Sequence, residues 1–313
     1  MVSCHGTVVE GRPLRENHGG WDRQELNRPE EVVGDGCVGK HKDNIRIVTQ
    51  NINGIGQISG SMKERNLKEF ILEQEIDIMG VQELNVCWSK VQEKNRIWDR
   101  FRHWREVAQL SVAYNMQDVN KIRHQLGGTA VLSINKMANR VIATGADESK
   151  LGRWAWKRYQ GSFDRTFIIF SVYRPVEGNG GFNSAYVQQL RYSMKHRNGR
   201  CPRELLLQDL GDELIKWKEA GDSILVMGDW NQDIRSEDMQ DWKDRIGLRD
   251  AMMEKVGDVN DLPATYQRGR VPIDSIMTTG SVVVDKAGYL PFGERVGDHR
   301  ALFVDVSLVS VLG

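Results

Sequence analysis

The stretch ILVMGDWNQD, residues 224–233, constrains the fold of this chain more than any other. Four apolar residues run straight into Gly228, Asp229, Trp230 and Asn231, the pattern of a buried strand that stops abruptly on polar side chains. A strand end holds an acid and an amide rigidly at a sheet edge, and a glycine there lets the backbone turn sharply. Read in isolation, the same residues describe a strand followed by an Asx-type turn.

The pattern is not isolated. IRIVTQ (45–50) is a short strand running into NINGIGQ, and IDIMGVQE is a second apolar strand ending on Gln82 and Glu83. Between them KERNLKEFILEQE places Leu67, Phe70 and Ile71 at helical spacing, so the segment reads as a βαβ unit. Parallel pairing of its strands delivers Asn51, Asn53 and Glu83 to one end of a sheet. Further along, LGGTAVLSI, RWAWKRYQ and RTFIIFSVY read as strands. FNSAYVQQLRYSM and RELLLQDLGDELIKW read as helices, the second with Leu206, Leu210, Leu214 and Trp217 along one face. SEDMQDWKDRIG and RDAMMEKV are polar helical or turn segments, and VPIDSIM, VVVDKAGY and ALFVDVSL close the chain as strands. Mixed strands and helices without a linker-like break predict one α/β domain over residues 44–313. Residues 1–43, polar and rich in glycine and charge, are expected to be a flexible N-terminal extension.

With 43 basic and 43 acidic residues the net charge is zero, so the overall balance does not advertise a nucleic-acid partner. Local patches must supply any such binding. Residues 191–203, RYSMKHRNGRCPR, carry Arg191, Lys195, Arg197, Arg200 and Arg203 with no acid among them, and Arg268 and Arg270 form a second cluster. These side chains either grip phosphates or solvate a helix end. Cys4, Cys37, Cys87 and Cys201 form no Cys-x-x-Cys pair, which argues against a zinc site or disulfide framework and for a reducing compartment. No apolar run approaches the ~18 residues that span a bilayer, and the N-terminus lacks a signal-peptide core. An intracellular protein, nuclear or cytoplasmic and away from membranes, is expected, with no sign of an obligate protein partner.

Collected, the polar stations beyond apolar segments are Asn51 and Asn53, Glu83, Tyr173, Asp229 and Asn231, Asp274, and Asp298 with His299. Turns alone do not account for so many along one chain, and a shared active site does.

In the order TQNINGIG, GVQELN, LGGTAVL, SVYRP, VMGDWNQD, ATYQRGRVPIDSIM and GDHRAL, residues 44–309 resemble the endonuclease/exonuclease/phosphatase superfamily, closest in style to retrotransposon endonuclease domains. The resemblance implies a four-layer α/β sandwich, two packed mixed β-sheets flanked by helices, that hydrolyses phosphoesters with a divalent metal. It implies Mg²⁺, with Mn²⁺ as an alternative, held by Glu83 as principal ligand, with support from Asn53 and from Asp298 on the opposite side. His299 and Asp274 become a dyad. Asp229 orients or deprotonates water, Asn231 and Asn51 donate to the developing negative charge, and Tyr173 donates to the phosphate or assists the leaving group. Whether Asp229 or His299 is the base stays open at this level. Val271, Pro272 and Ile273 stand where abasic-site enzymes of the family carry an aromatic residue, Gly297 stands where serine is common, and Ser275 stands where tyrosine often follows the dyad aspartate. The expected activity is hydrolysis of DNA phosphodiesters. The alternatives are a phosphatase, a lipid or small-molecule phosphodiesterase, and a catalytically inactive nucleic-acid-binding module.

Overall fold

The computed structural model describes residues 31–102, 104, 108–117, 123–178, 181–292 and 296–313. Its strands, in chain order, are β1 (Val33–Gly34), β2 (Asn44–Asn51), β3 (Ile78–Gln82), β4 (Ala108–Ala113), β5 (Thr129–Ile134), β6 (Val141–Ala146), β7 (Trp154–Gln160), β8 (Thr166–Tyr173), β9 (Ser223–Asp229), β10 (Leu248–Asp250), β11 (Asp274–Thr279), β12 (Val284–Tyr289) and β13 (Leu302–Ser307). The helices are α1 (Met62–Glu73), α2 (Ile97–Arg102), α3 (Asn135–Ala138), α4 (Ala185–His196), α5 (Pro202–Glu219), α6 (Glu237–Ile246), α7 (Ala251–Val256) and α8 (Leu308–Leu312).

Continuous apolar runs become strands covered on both faces. β2, β3 and β8 are buried along their whole length, and β9 along all but its first residue. They are central strands of two mixed sheets, one of seven strands in the order β1-β12-β13-β2-β3-β5-β4, the other of six in the order β10-β11-β9-β8-β7-β6. β2 and β3 pair in parallel, as do β8 and β9, while their other neighbours run antiparallel.

The sheets stack face to face, and helices cover their outer sides. On one side Leu67, Phe70 and Ile71 of α1 pack with Val48, Met79 and Phe303. Opposite, Leu206, Leu210 and Leu214 of α5 join Met239, Trp242 and Ile246 of α6 against the second sheet. This is the expected four-layer sandwich. Close approach between the sheets needs Gly80, where a Cβ would sit 2.6 Å from the Met227 methyl. Nearer the functional end the seam turns polar. Gln82 donates to Thr49 Oγ1 (2.9 Å) and to Ser171 Oγ (2.8 Å), and Thr129 meets Ser171 (2.6 Å), so the sheets are locked in register under the strand ends.

Several expectations shift. Residues 31–43 are not simply an extension, because Val33 and Gly34 pair with Tyr289 and Gly288 at a sheet edge. Residues 1–30 lie outside the described residues. β4 and β6 add strands that the sequence pattern does not announce. β6 has no fully buried residue, and its run VIATGA carries no strong alternation. α8 follows the last strand. Cys201 is disulfide-bonded, an exception to the expectation drawn from cysteine spacing. Among the described residues no helix is long and apolar enough to cross a membrane.

Candidate active site

Two strands end in the same way. In Asn51-Ile52-Asn53, the Asn51 side-chain oxygen accepts the Asn53 N–H (2.9 Å), and in Asp229-Trp230-Asn231, Asp229 Oδ1 accepts the Asn231 N–H (2.9 Å). The third residue of each turn is left-handed, with φ 47° at Asn53 and 48° at Asn231, and the middle residue, Ile52 or Trp230, plugs the core. Asx turns therefore are present, and they build the site. Asparagine tolerates the left-handed region, whereas Glu83 at φ 53° occupies it without that local compensation.

Register brings the rest together. Asn51 lies opposite Gln82, one residue before Glu83; Tyr173 lies opposite Asp229; and Asp229 lies opposite Asp274. Asn51 Nδ2 crosses from the first sheet to donate to Asp229 Oδ2 (2.8 Å), and Asn231 Nδ2 donates to the same oxygen (3.1 Å). Tyr173 donates its hydroxyl proton to Glu83 Oε1 in a short hydrogen bond. His299 Nδ1 meets Asp274 Oδ2 at 2.8 Å, so the two members of the expected dyad are in contact. The loop carrying Asp298 and His299 presses on β2: a Cβ on Gly297 would lie 2.2 Å from the Asn51 carbonyl oxygen, leaving no room for serine at this backbone position. Asn53 Nδ2 reaches Asp298 Oδ2 at 3.3 Å.

Electrostatics separate the roles. Burial, and then the nearby Asp274 carboxylate, push Asp229 up to about 8, against the hydrogen bond from Asn51. Burial opposes a charge on His299, but Asp274 and Asp229 outweigh it and raise the imidazole to about 10. Tyr173 is raised well above its ordinary value by burial and by Glu83 and Asp229, so its hydroxyl stays a proton donor.

Two oxygen-rich places offer themselves to a cation. Asp229, Asp274 and His299 each bring one ligand atom within 4.8 Å of one another. A protonated imidazole has no lone pair to give, so that trio is the weaker cage. Glu83, Asn53 and Asp298, the residues expected to hold the metal, carry oxygen donors of the kind a hard ion prefers and are at least partly exposed. Lys63 lies beside these residues. Its ammonium donates to the Ile52 (2.6 Å) and Asn53 (2.9 Å) carbonyls and feels both Asp298 and Glu83, although burial lowers its proton affinity.

The sequence did not single out Lys63. One signal was available, a lysine in the first turn of a helix, where the dipole disfavours a cation unless something else holds it. Tyr266 was also missed: its ring lies 5.1 Å from that of His299 at 37°, and Arg268 sits 5.7 Å above it.

The basic residues do not act as one group. Arg203 is buried and clamps two strand-end loops, donating to the Pro175 (2.6 Å) and Asn231 (3.0 Å) carbonyls, so it is scaffold rather than an exposed phosphate contact. Arg197 is ion-paired with Asp209 of α5 at 2.9 Å. Lys195, Arg200, Arg268 and Arg270 remain exposed, and Arg191 stacks on Phe182. A cavity of about 620 Å³ lined by Arg174, Arg203, Gln232 and Trp242 adjoins the Asn231 side, and one of about 390 Å³ lined by Asn53, Lys63, Asn85 and His124 adjoins the Glu83 side.

Fold and site define a phosphoesterase sandwich whose polar groups gather at one end of two stacked sheets. The sequence matches the Endonuclease/Exonuclease/phosphatase family over residues 48–299, and the chain belongs to that family of phosphoester hydrolases, which generally depend on divalent metals. Among solved structures, the catalytic domain of human Nocturnin with bound sulfate is similar at TM-score 0.57 and 16% identity, over 88% of this chain and 97% of that one. The Xenopus laevis APE2 catalytic domain is similar at TM-score 0.53 and 15% identity, over 84% and 92%. A variant of the 3′ phosphatase NExo from Neisseria, bound to a product DNA hairpin, is similar at TM-score 0.51 and 16% identity, over 83% and 98%. At these identities the likeness speaks for the fold. No curated protein matches the chain in sequence.

Proposed function

We propose that this chain is a metal-dependent phosphodiesterase that cleaves DNA internally by in-line attack of an activated water. The observation that carries the reading is the pair of matching Asx turns, which aim Asn51, Asp229 and Asn231 at one another directly beside the Asp274–His299 dyad. A phosphodiester repels a nucleophile, so hydrolysis needs positive charge at its oxygens and a base for the attacking water. Glu83, Asn53 and Asp298 would hold Mg²⁺, with Mn²⁺ as a substitute; when bound, the ion supplies charge neutralisation at the phosphate and favours the ionised form of Asp229.

The chain's own groups then divide the work. Asp229 takes the proton from water, its carboxylate aimed by the Asn51 and Asn231 amides. His299, kept as an imidazolium by Asp274, donates to a phosphate oxygen and does not serve as the base. Tyr173 holds the Glu83 carboxylate in place and keeps its own proton next to the phosphate site. Exposed Lys195, Arg200, Arg268 and Arg270 offer phosphate contacts away from the scissile bond, which is how a neutral protein would hold DNA.

The test is a substrate panel with purified protein and Mg²⁺: supercoiled plasmid, abasic oligonucleotide, RNA, phosphoinositides and a small phosphomonoester. Plasmid nicking that EDTA stops is the expected result. Cleavage of the phosphomonoester or phosphoinositide alone would make the protein a phosphatase or lipid-directed enzyme. No hydrolysis of any member would leave a binding module.

A further inference from the structure

Beside the site, α4 presents a surface that phosphate contacts alone do not explain. Phe182, on the glycine-rich loop before the helix, is 71% exposed although it is one of the most costly side chains to leave in water. Its ring is not loose. The Arg191 guanidinium lies 4.2 Å from the ring centroid and also donates to the Phe182 carbonyl (2.9 Å). Ser184 caps α4 by accepting from Val187 N (3.2 Å), and Gln188 donates to the Asn183 carbonyl (2.7 Å), so the base of the loop is pinned.

One helical position along, Tyr192 stacks on His196 with ring centroids 4.6 Å apart at 37°. Exposed Lys195 lines one hollow with Arg191, Tyr192 and His196, and α4 contains no acid. On the other side of Tyr192 a second cavity carries Glu148, Asp212 and Glu213, with Asp209 there paired to Arg153 and Arg197, so the basic face is the one that Lys195 and Arg191 share. Aromatic faces interleaved with cations are the chemistry that holds single-stranded nucleic acid: bases stack on rings while the backbone follows the charge. The place is also right. A Cβ on Gly127 would touch both Ala185 at the start of α4 (3.3 Å) and the Tyr173 ring (3.5 Å), so only Gly127 stands between the start of α4 and an active-site residue. Phe182 is three residues from Ala185, within about 10 Å of chain.

We infer that Phe182 and the outer face of α4 form a stacking track for unpaired bases of a single strand leaving the catalytic centre. This rests on the nucleic-acid reading above and adds to it a preference for unpaired over fully paired substrate.

The experiment measures binding by fluorescence anisotropy in EDTA, comparing a short oligothymidine with an abasic oligodeoxynucleotide of equal length and charge. Wild-type protein should bind the oligothymidine about ten-fold or more tightly, because only it carries bases to stack. Phe182→Ala and Tyr192→Ala should each shrink that ratio several-fold while leaving the salt dependence in place, and Phe182→Trp should restore it. Lys195→Ala should do the reverse, flattening the salt dependence and leaving the ratio. Equal binding of the two oligonucleotides by wild-type protein, or a ratio unmoved by Phe182→Ala, overturns the track even if plasmid is nicked. Failure to bind or cut any nucleic acid, with hydrolysis of a small phosphoester intact, overturns the nucleic-acid reading and the track with it.

Discussion

The two ends of β2 treat buried charge in opposite ways. At its start Arg46, 1% exposed, meets Asp305 with two hydrogen bonds of 2.8 Å, while Asp77 accepts from the Arg46 N–H (2.9 Å) and from Lys40 (2.7 Å). Both of these buried acids have their cation. At the other end, where Asn51 points into the site, two buried carboxyl groups, Asp229 and Asp274, share one imidazole, and Asp274 Oδ1 has no partner among the described residues. Balanced buried pairs hold a scaffold, and an excess of negative charge is sustained only where something positive or a proton is to arrive. The contrast within one strand separates framework from chemistry without reference to any relative.

The largest expected effect falls on the unbalanced end. Glu83→Gln should cost several kcal/mol of transition-state stabilisation, about a thousand-fold or more in rate, and EDTA should do the same to the unaltered protein. The variant's melting temperature should hardly move, since Glu83 is partly exposed at a strand end. Nicking that persists after both treatments breaks the metal assignment.

Next comes Asp274→Asn, expected to lower turnover by roughly a hundred- to ten-thousand-fold with little change in Michaelis constant. It also carries a pH signature. His299 is raised to about 10, so it stays charged below that pH, and activity that needs the imidazolium falls as pH climbs through it. With the main cause of the raised value removed, the alkaline fall should move to lower pH. An unmoved alkaline limb would show that His299 is not the group being read.

At the balanced end the effect should appear in stability and not in chemistry. Arg46→Met strands a buried carboxylate and should cost about 3–5 kcal/mol of folding stability, seen as a lower denaturant midpoint. The activity of the remaining folded protein should stay near wild type. A selective loss of turnover would blur the division between the two ends.

The smallest effects concern the surface. Lys195→Ala and Arg200→Ala should each flatten the salt dependence of DNA binding by about one unit of slope. Arg197→Ala should change it less, because Asp209 already neutralises that guanidinium. A full unit of slope from Arg197 would mean that the pair opens when DNA binds.

Much of the site was legible because its signal is local. An apolar run that stops on Asn-Ile-Asn or Asp-Trp-Asn announces a buried strand and its turn within a few residues, and the turns formed as their side chains dictate. Asp274 and His299, 25 residues apart, are joined in the sequence only by resemblance, and in the fold they touch at 2.8 Å. The exposed edge strand β6 was not legible, since a strand that buries no residue fully leaves a weak alternation. Nor was the fate of the basic run: residues 191–203 contain no acid, yet Arg197 finds one on α5 and Arg203 turns inward to two carbonyls.

The sequence by itself determined the central strands, the polar stops at their ends and the family those stops define, because backbone propensity and side-chain capping act over a few residues. Only the tertiary structure decided which charges are balanced, that Lys63 feels Glu83 and Asp298, that neighbouring carboxylates raise His299, and that Phe182 stands exposed on Arg191. Those properties depend on desolvation and on neighbours far apart in the chain, and burial and charge separation come into being only when the two sheets close on each other.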